Sequence, residues 1–191
     1  MKTRLFFDTE TNGLPVRRRE APGTFTMPRV VQLAGQVYED KNLFIEFDRI
    51  IKPDGWIIPD DVADIHGITT VIATEKGEDL MAVLQAFTDL LNVSDQVICH
   101  NVNFDCKVMA AELIKKNITN DLMKKQLTCT MEAGKKRCNL HNRIGGLKPP
   151  KLMELHKFLF NIGFEDAHNA LFDVRATAKC YFEMKRRNWI E

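Results

Sequence analysis

Residues 3–14 read Thr-Arg-Leu-Phe-Phe-Asp-Thr-Glu-Thr-Asn-Gly-Leu, a β-branched and aromatic run that ends in acidic and turn-forming residues. The apolar part, Thr3–Phe7, predicts a buried strand. Because side chains alternate between the faces of a strand, Asp8 and Glu10 lie on one face, where two carboxylates repel each other unless a positive charge lies between them. A divalent cation would supply that charge. For the pair alone, a strand that ends in solvated acids at a turn is the favoured interpretation.

Beyond this stretch the sequence predicts more strands, and then helices that alternate with strands. Val30–Tyr38 and Leu43–Ile51 are apolar runs joined by a polar turn, which indicates an antiparallel meander with the first strand. Periodicity then predicts a helix over Leu80–Leu91, a strand at Val97–Cys99, a helix over Phe104–Lys116, a strand at Leu127–Thr130, and helices around Leu152–Leu159 and Leu171–Tyr181. Pro15–Pro28 is predicted to be a surface loop, and the stretch up to Lys151 an exposed connection with little regular structure. This order favours an α/β fold, a mixed sheet covered by helices.

Length and composition bound the class of protein. A chain of 191 residues suits a single domain spanning residues 1–191. The net charge of +1 means that a nucleic-acid partner would be held by local basic patches. Five cysteines without a CxxC pair predict reduced thiols in a cytoplasmic protein, and zinc binding by Cys99, His100 and Cys106 is less favoured than simple burial. With neither a signal peptide nor a membrane-spanning stretch in the sequence, we expect no membrane association.

Two further acidic elements occur where helices are predicted to begin. His100-Asn101-Val102-Asn103-Phe104-Asp105 follows a core strand, and Ala167-His168-Asn169-Ala170-Leu171-Phe172-Asp173 opens the last helix. Polar groups at the carboxyl end of a strand lie where open α/β sheets bind ligands. Asn103 fits an N-cap and Asp105 a favourable first-turn acid, while a lone histidine near a helix start is more often a capping or solvated residue than a base.

Together, the three elements resemble the motifs of the DEDDh family of 3′-to-5′ exonucleases, whose members include the proofreading epsilon subunit of bacterial DNA polymerase III. Residues 7–14, 100–105 and 168–173 are similar to its three motifs, and Ile65-His66-Gly67-Ile68-Thr69 is similar to a segment usual between the first two. The resemblance spans nearly the whole chain. It implies a ribonuclease-H-like fold with a mixed five-stranded sheet flanked by helices.

The resemblance also implies a two-metal hydrolysis of phosphodiester bonds. The cofactors would be two divalent cations, Mg²⁺ or Mn²⁺, since carboxylate oxygens are hard ligands. By the family pattern, Asp8 bridges both ions, Glu10 and Asp173 hold the ion that carries the attacking water, and Asp105 supports the second ion. His168 would be the general base.

A pocket for the terminal nucleotide is implied at six residues: Thr9, Gly13, Leu14, His66, Asn101 and Phe104. Apolar and aromatic side chains stack on any base, so such a pocket would bind a strand end rather than a sequence. For Leu14 and Phe104, ordinary core packing is an equal alternative. The Arg17–Arg19 run is suited to phosphate contacts, although solvated loop charges are the default.

The family resemblance favours an exonuclease that acts on single-stranded or frayed DNA 3′ ends and releases 5′-mononucleotides. An exoribonuclease with the same chemistry is the close alternative, and a non-catalytic nucleic-acid-binding module is a third. A polymerase partner is possible, but no extended tail follows the last predicted helix, so a stand-alone trimming or repair nuclease is favoured. The basic segment Glu132–Lys151 matches no motif.

Overall fold

A mixed five-stranded sheet lies at the centre of the structure, a computed structural model that describes residues 1–18, 23, 25–164 and 167–190. The strands are β1 (Thr3–Thr11), β2 (Val16–Arg17), β3 (Phe25–Thr26), β4 (Val30–Glu39), β5 (Asn42–Ile50), β6 (Gln96–Cys99) and β7 (Gln126–Cys129). The helices are α1 (Asp60–His66), α2 (Thr70–Lys76), α3 (Leu80–Asn92), α4 (Val102–Lys115), α5 (Thr130–Cys138), α6 (Leu152–Phe160) and α7 (Ala170–Arg186). The main sheet has the order β5-β4-β1-β6-β7, and β2 pairs with β3 separately.

The two halves of the sheet differ in strand direction. β1, β4 and β5 are antiparallel neighbours, which confirms the predicted meander. β6 runs parallel to β1, and β7 runs parallel to β6. The carboxyl ends of β1, β6 and β7 therefore meet at one edge of the sheet, which is where open α/β folds place ligands.

Side chains of β1 alternate between two hydrophobic cores. Leu5 and Phe7 lie in the larger core with residues of α3 and α4. Phe6 lies on the opposite face and packs against Tyr181 of α7, with the ring centroids 5.3 Å apart. Helices thus cover both faces, which confirms the predicted mixed five-stranded sheet flanked by helices.

Two local predictions are corrected by the structure, and two helices were missed. The predicted loop Pro15–Pro28 contains the short β2–β3 pair, although Arg19 and its neighbours 20–22 and 24 lie outside the described residues. The segment after β7 was expected to have little regular structure, yet it begins with α5, whose Thr130, Gly134 and Cys138 form a narrow buried stripe. Helices α1 and α2 were not predicted.

The five cysteines are all free, and Cys99 and Cys106 are buried. In the described part of the chain, no helix is both long and apolar enough to cross a membrane.

Candidate active site

The alternation along β1 sends neighbouring residues to different helices. Phe6 faces α7, so Asp8 and Glu10, at the same parity, face α7 as well. Thr9 has the parity of Phe7 and faces α4. One strand end therefore supplies polar groups to both faces of the sheet.

Asp173 in the first turn of α7 completes a cluster with the two acids of β1. Oxygen atoms of Asp8, Glu10 and Asp173 all lie within 4.8 Å of one another. The start of α7 is fixed by two contacts. The Asn169 side chain accepts a hydrogen bond from the amide of Leu171 at 3.1 Å, and the amide of Ala170 donates to Gln32 Oε1 at 3.2 Å.

Asp105 approaches the cluster from α4 and is bound to β1 by Thr9. The amide and the hydroxyl of Thr9 both donate to Asp105 Oδ1, at 3.2 and 2.8 Å. Thr9, which was expected at the nucleotide pocket, thus uses its hydrogen-bond donors to orient a carboxylate. Asp105 is close enough for its charge to raise the pKa of Asp8.

His168 lies in the turn before α7 with its side chain exposed. Its amide donates to Asp173 Oδ2 at 3.2 Å, and its φ of 72° is in the left-handed region that non-glycine residues rarely adopt. A conformation that costs about 1 kcal/mol or more is kept only where surrounding contacts enforce it. The hydrogen bond to Asp173 is one such contact.

Burial raises the pKa values of all four carboxyl groups, and repulsion between the acids adds to the shifts of Asp8, Glu10 and Asp105. Burial raises the pKa of Asp8 well above its ordinary value, with added repulsion from the other three acids. Burial and the charges of Asp173 and Asp105 raise the pKa of Glu10 to about 8. Burial raises the pKa of Asp105 to about 7 against the opposing hydrogen bonds from Thr9, and burial raises that of Asp173 to about 6.

The donor set fits a divalent cation. Among the described residues, no lysine or arginine forms an ion pair with these four acids, and Asp173 Oδ1 is buried without a hydrogen-bond partner. Buried carboxylates are normally paired or coordinate a metal. Four carboxylates without nitrogen or sulfur ligands suit Mg²⁺ or Mn²⁺.

A groove of about 650 Å³ lies along the exposed face of α4, and none of the four carboxylates lines it. Asn101 and Phe104, both predicted at the nucleotide pocket, line it. Its other lining residues were missed from the sequence and include Phe25, Met27 and Lys107. Lys107 could have been found, since it lies one helical turn after Phe104, whereas Phe25 and Met27 gave no signal within the predicted loop.

The other predicted pocket residues lie at the end of β1 and in α1. Leu14 is 79% exposed, which excludes core packing for this side chain, and the Thr11 hydroxyl donates to the carbonyl of Gly13 at 2.8 Å. His66 is buried, with its Nδ1 accepting from the amide of Ile68 at 3.1 Å. Burial lowers the pKa of His66 against an opposing hydrogen bond with the Thr11 backbone, and the charge of His168 lowers it further.

His100 connects the second motif to the basic segment that follows β7. Its Nε2 lies 3.0 Å from the carbonyl of Pro150, and its Nδ1 lies 3.0 Å from the Thr130 hydroxyl. A carbonyl only accepts, so Nε2 carries the proton and Nδ1 accepts from Thr130. Burial lowers the pKa of His100 to about 4, which keeps the ring neutral. His100 is therefore committed to hydrogen bonds within the fold.

Comparison with known families decides the classification. A family model described as Exonuclease matches residues 5–181. The chain belongs to this exonuclease family. The match includes the three motifs that carry the four carboxylates and His168.

Individual members of the exonuclease family are similar over different shares of the chain. The DNA polymerase III subunit epsilon of Treponema pallidum (strain Nichols) is 28% identical over 107 residues, 56% of this chain and 44% of that protein. Exonuclease I of E. coli, in complex with a dA16 oligonucleotide, aligns with a TM-score of 0.78 and 22% identity over 98% of this chain and 41% of its own. Exonuclease I of Methylocaldum szegediense aligns with a TM-score of 0.79 and 20% identity over 98% of this chain and 41% of its own.

The two structural likenesses confirm the predicted ribonuclease-H-like fold. This chain spans less than half the length of each of these three relatives.

Proposed function

We propose that this chain is a metal-dependent 3′-to-5′ exonuclease that hydrolyses single-stranded or frayed DNA ends and releases 5′-mononucleotides. One observation carries the proposal. Asp8, Glu10, Asp105 and Asp173 come from three distant parts of the chain to one edge of the sheet, without a described basic side chain to neutralise them. Bringing four carboxylates together costs folding free energy. A function in binding a cation that contacts the reacting phosphate explains why the arrangement is present.

Two divalent cations, Mg²⁺ or Mn²⁺, would be held by these four residues, with Asp8 shared and Glu10 and Asp173 on one side. When bound, the pair of ions lowers the pKa of a water molecule and stabilises charge on the leaving 3′-oxygen. The family resemblance supplies this division of ligands, and the cluster of Asp8, Glu10 and Asp173 within 4.8 Å supports it.

The chain's own residues supply orientation and proton transfer. Thr9 holds Asp105 by two hydrogen bonds, so that this carboxylate keeps one rotamer. His168 is exposed beside Asp173 and accepts the proton of the attacking water, a role that histidine fills more often than any other side chain. The hydrogen bond from the His168 amide to Asp173 places base and ligand in one turn.

The groove along α4 supports a nucleic-acid strand end as the substrate. Phe104 offers a ring on which a base stacks, and Lys107 offers a positive charge for a phosphate. Leu14, Gly13, His66 and Asn101 complete the proposed pocket for the last nucleotide. DNA is favoured over RNA because similar solved structures contain exonuclease I with dA16 and dT13 oligonucleotides.

Partner, domain extent and location belong to the same proposal. The similarity to a polymerase III epsilon subunit suggests a polymerase as a possible partner. We treat residues 1–191 as one exonuclease domain. The five free cysteines suit a reducing compartment, so a cytoplasmic location is proposed.

Degradation of a 5′-labelled single-stranded DNA and of its RNA counterpart, with Mg²⁺, Mn²⁺ or chelator, tests the proposal. We expect a metal-dependent ladder that shortens from the 3′ end, faster on DNA. Asp8→Asn should slow it about 100-fold or more, because a metal site contributes several kcal/mol and each 1.4 kcal/mol is tenfold in rate.

Asp89→Asn is the matched control, since Asp89 is an exposed carboxylate on α3 outside the cluster. Equal activity of Asp8→Asn and Asp89→Asn would refute the assigned role of the cluster. Faster loss of the RNA strand would move the proposal to the exoribonuclease, and no cleavage of either strand would favour a non-catalytic module.

A further inference from the structure

The outward face of α7 forms a shallow channel. Two adjoining depressions of about 450 and 360 Å³ lie on this face and share Arg175 and Lys179. We define the α7 groove by the residues Phe160, Phe172, Arg175, Lys179, Phe182 and Arg186.

Helical periodicity explains why these residues share one face. The α7 members of the groove recur at spacings of three and four, and the residues of α7 that pack on the sheet, such as Val174 and Tyr181, lie between them. Phe172 precedes Asp173 in the chain, so this end of the groove lies at the start of α7, although none of the four carboxylates lines the groove. From Phe172 to Arg186 it is about 21 Å long at 1.5 Å per residue.

Positive charge is concentrated in the α7 groove although the whole chain carries a net charge of only +1. The larger depression is lined by one carboxylate, Glu183, and by four cations: Lys41, Arg175, Lys179 and Arg186. Arg186 binds Glu183 at 2.7 Å, and Arg175 binds Glu46 on β5 through its Nε at 2.9 Å. Lys41 and Lys179 form no ion pair with any residue in the described ranges, so their charges are available to a ligand.

Aromatic rings alternate with these cations. Lys179 Nζ lies 4.6 Å from the ring centroid of Phe160, and the Arg175 guanidinium lies 5.6 Å from that of Phe172. Phe160, Phe172 and Phe182 are each half-buried, with part of the side chain exposed. Phe182 and Phe160 also pack against the hydrophobic cores beneath them, and their exposed edges beside the cations resemble surfaces that bind single strands, which combine cations for the backbone with rings for the bases.

We propose that the α7 groove binds the part of a single-stranded nucleic acid that lies on the 5′ side of the nucleotide being removed. The inference rests on the proposed function, because it takes the strand end to lie at the carboxylate cluster. Charge complementarity to a polyanion supports this occupant, and Phe172, next to Asp173 in the chain, puts one end of the groove at the start of α7. The groove would hold the strand between successive cleavages and favour long strands over short ones.

The test is a comparison of strand lengths with the double variant Lys41→Ser/Lys179→Ser. Oligothymidylates of about 4 and about 20 nucleotides are suitable, since single-strand sites span roughly 4–16 nucleotides. Fluorescence anisotropy in chelator gives the affinity for the long strand, and kcat/KM with Mg²⁺ is measured for both lengths. Both lysines are exposed, so the variant should keep the thermal stability of the wild type.

We expect the affinity for the long strand to fall about 5- to 10-fold, and the slope of log K against log salt to become shallower by about 1.4, at 0.7 per lost phosphate contact. The kcat/KM for the short strand should stay unchanged. Lys115→Ser/Lys124→Ser removes the same charge from exposed lysines at the carboxyl end of α4 and after it, and should change neither quantity.

The α7 groove would be overturned as a strand-binding surface by an equal fall in kcat/KM for both strand lengths or by no fall for either. The same fall in the Lys115→Ser/Lys124→Ser control would also overturn it. Failure of the proposed function gives a different result. The wild type would then degrade neither strand, while the anisotropy measurement in chelator would still report whether the groove binds DNA.

Discussion

Gln32 connects the central sheet to the end of α7 that carries Asp173 through one buried side chain. It lies opposite Glu10 in the β1–β4 pair, accepts from the Ala170 amide at 3.2 Å and donates to Asp48 Oδ1 at 2.8 Å. Both the oxygen and the nitrogen of the Gln32 side-chain amide therefore form hydrogen bonds. Nothing in the sequence distinguished Gln32 from other polar residues of a strand, because its role depends on a helix 138 positions away.

Replacing Gln32 by leucine should lower the free energy of unfolding by about 1–3 kcal/mol, because the buried Ala170 amide loses its acceptor. The activity should also fall, since Asp173 is held in the same turn. Urea unfolding and initial rates measure the two effects. Gln85→Leu on the exposed side of α3 is the matched control, with a change within about 0.5 kcal/mol. Equal stability of the two variants would contradict this role of Gln32.

At the scale of elements, one buried ion pair holds α4 against the segment that leads into β4. Arg29 Nε lies 2.6 Å from Glu112 Oε1, and the Glu112 side chain is only 1% exposed. The Arg29 guanidinium also lies 5.4 Å from the ring centroid of Trp56. The pair fixes α4, which carries Asp105, relative to the antiparallel half of the sheet.

Arg29→Leu should lower the free energy of unfolding by about 3 kcal/mol, because it leaves a buried carboxylate without its partner. The double variant Arg29→Leu/Glu112→Leu should recover much of that loss. Arg49→Leu breaks the exposed pair with Glu78, at 3.2 Å, and should cost less than about 1 kcal/mol. Equal losses for Arg29→Leu and Arg49→Leu in denaturant unfolding would show that burial does not govern this pair.

Elements with a broad apolar stripe or a continuous apolar run were predictable, and those without were not. β4 buries eight of its ten residues and α3 buries six of its 13 at helical spacing, and both were found. α5 was missed because it buries only a narrow stripe and has a glycine in its middle. A Cβ on Gly134 would lie 3.0 Å from Leu155 Cδ1 and 3.3 Å from Pro150 Cγ, so close packing against α6 explains this residue.

The residues of the candidate site also fall into those that the sequence predicted and those that it did not. Asp8, Glu10, Asp105, His168 and Asp173 could be predicted because their spacing follows a family pattern. Residues that depend on the fold, such as Gln32, His100 and Phe25, have neighbours that the sequence does not show. The catalytic roles themselves stay predictions until activity is measured.

For the molecule as a whole, the carboxylate cluster makes stability depend on pH. In the folded state, the pKa of Glu10 is raised to about 8 and that of Asp105 to about 7, so folding holds protons that the unfolded chain releases. Stabilisation from these groups is complete below their unfolded pKa values and is lost as the pH rises through 7 and 8. His100 acts in the opposite direction below pH 6.5, since its folded pKa of about 4 favours folding as the pH rises.

In chelator, the melting temperature should therefore fall between about pH 6.5 and 8.5. Mg²⁺ should reduce the fall, because a bound cation offsets the repulsion, and Asp8→Asn should reduce it without metal. Thermal unfolding followed by circular dichroism over this range measures the effect. A melting temperature that stays level or rises in chelator would contradict the raised pKa values.

α7 both covers the sheet face around Phe6 and supplies Asp173. During synthesis, the ribosome makes Asp8 and Glu10 early and Asp173 late, so a nascent chain carries an incomplete ligand set until α7 has emerged and docked. The proposed metal site is therefore assembled only when α7 packs on the sheet.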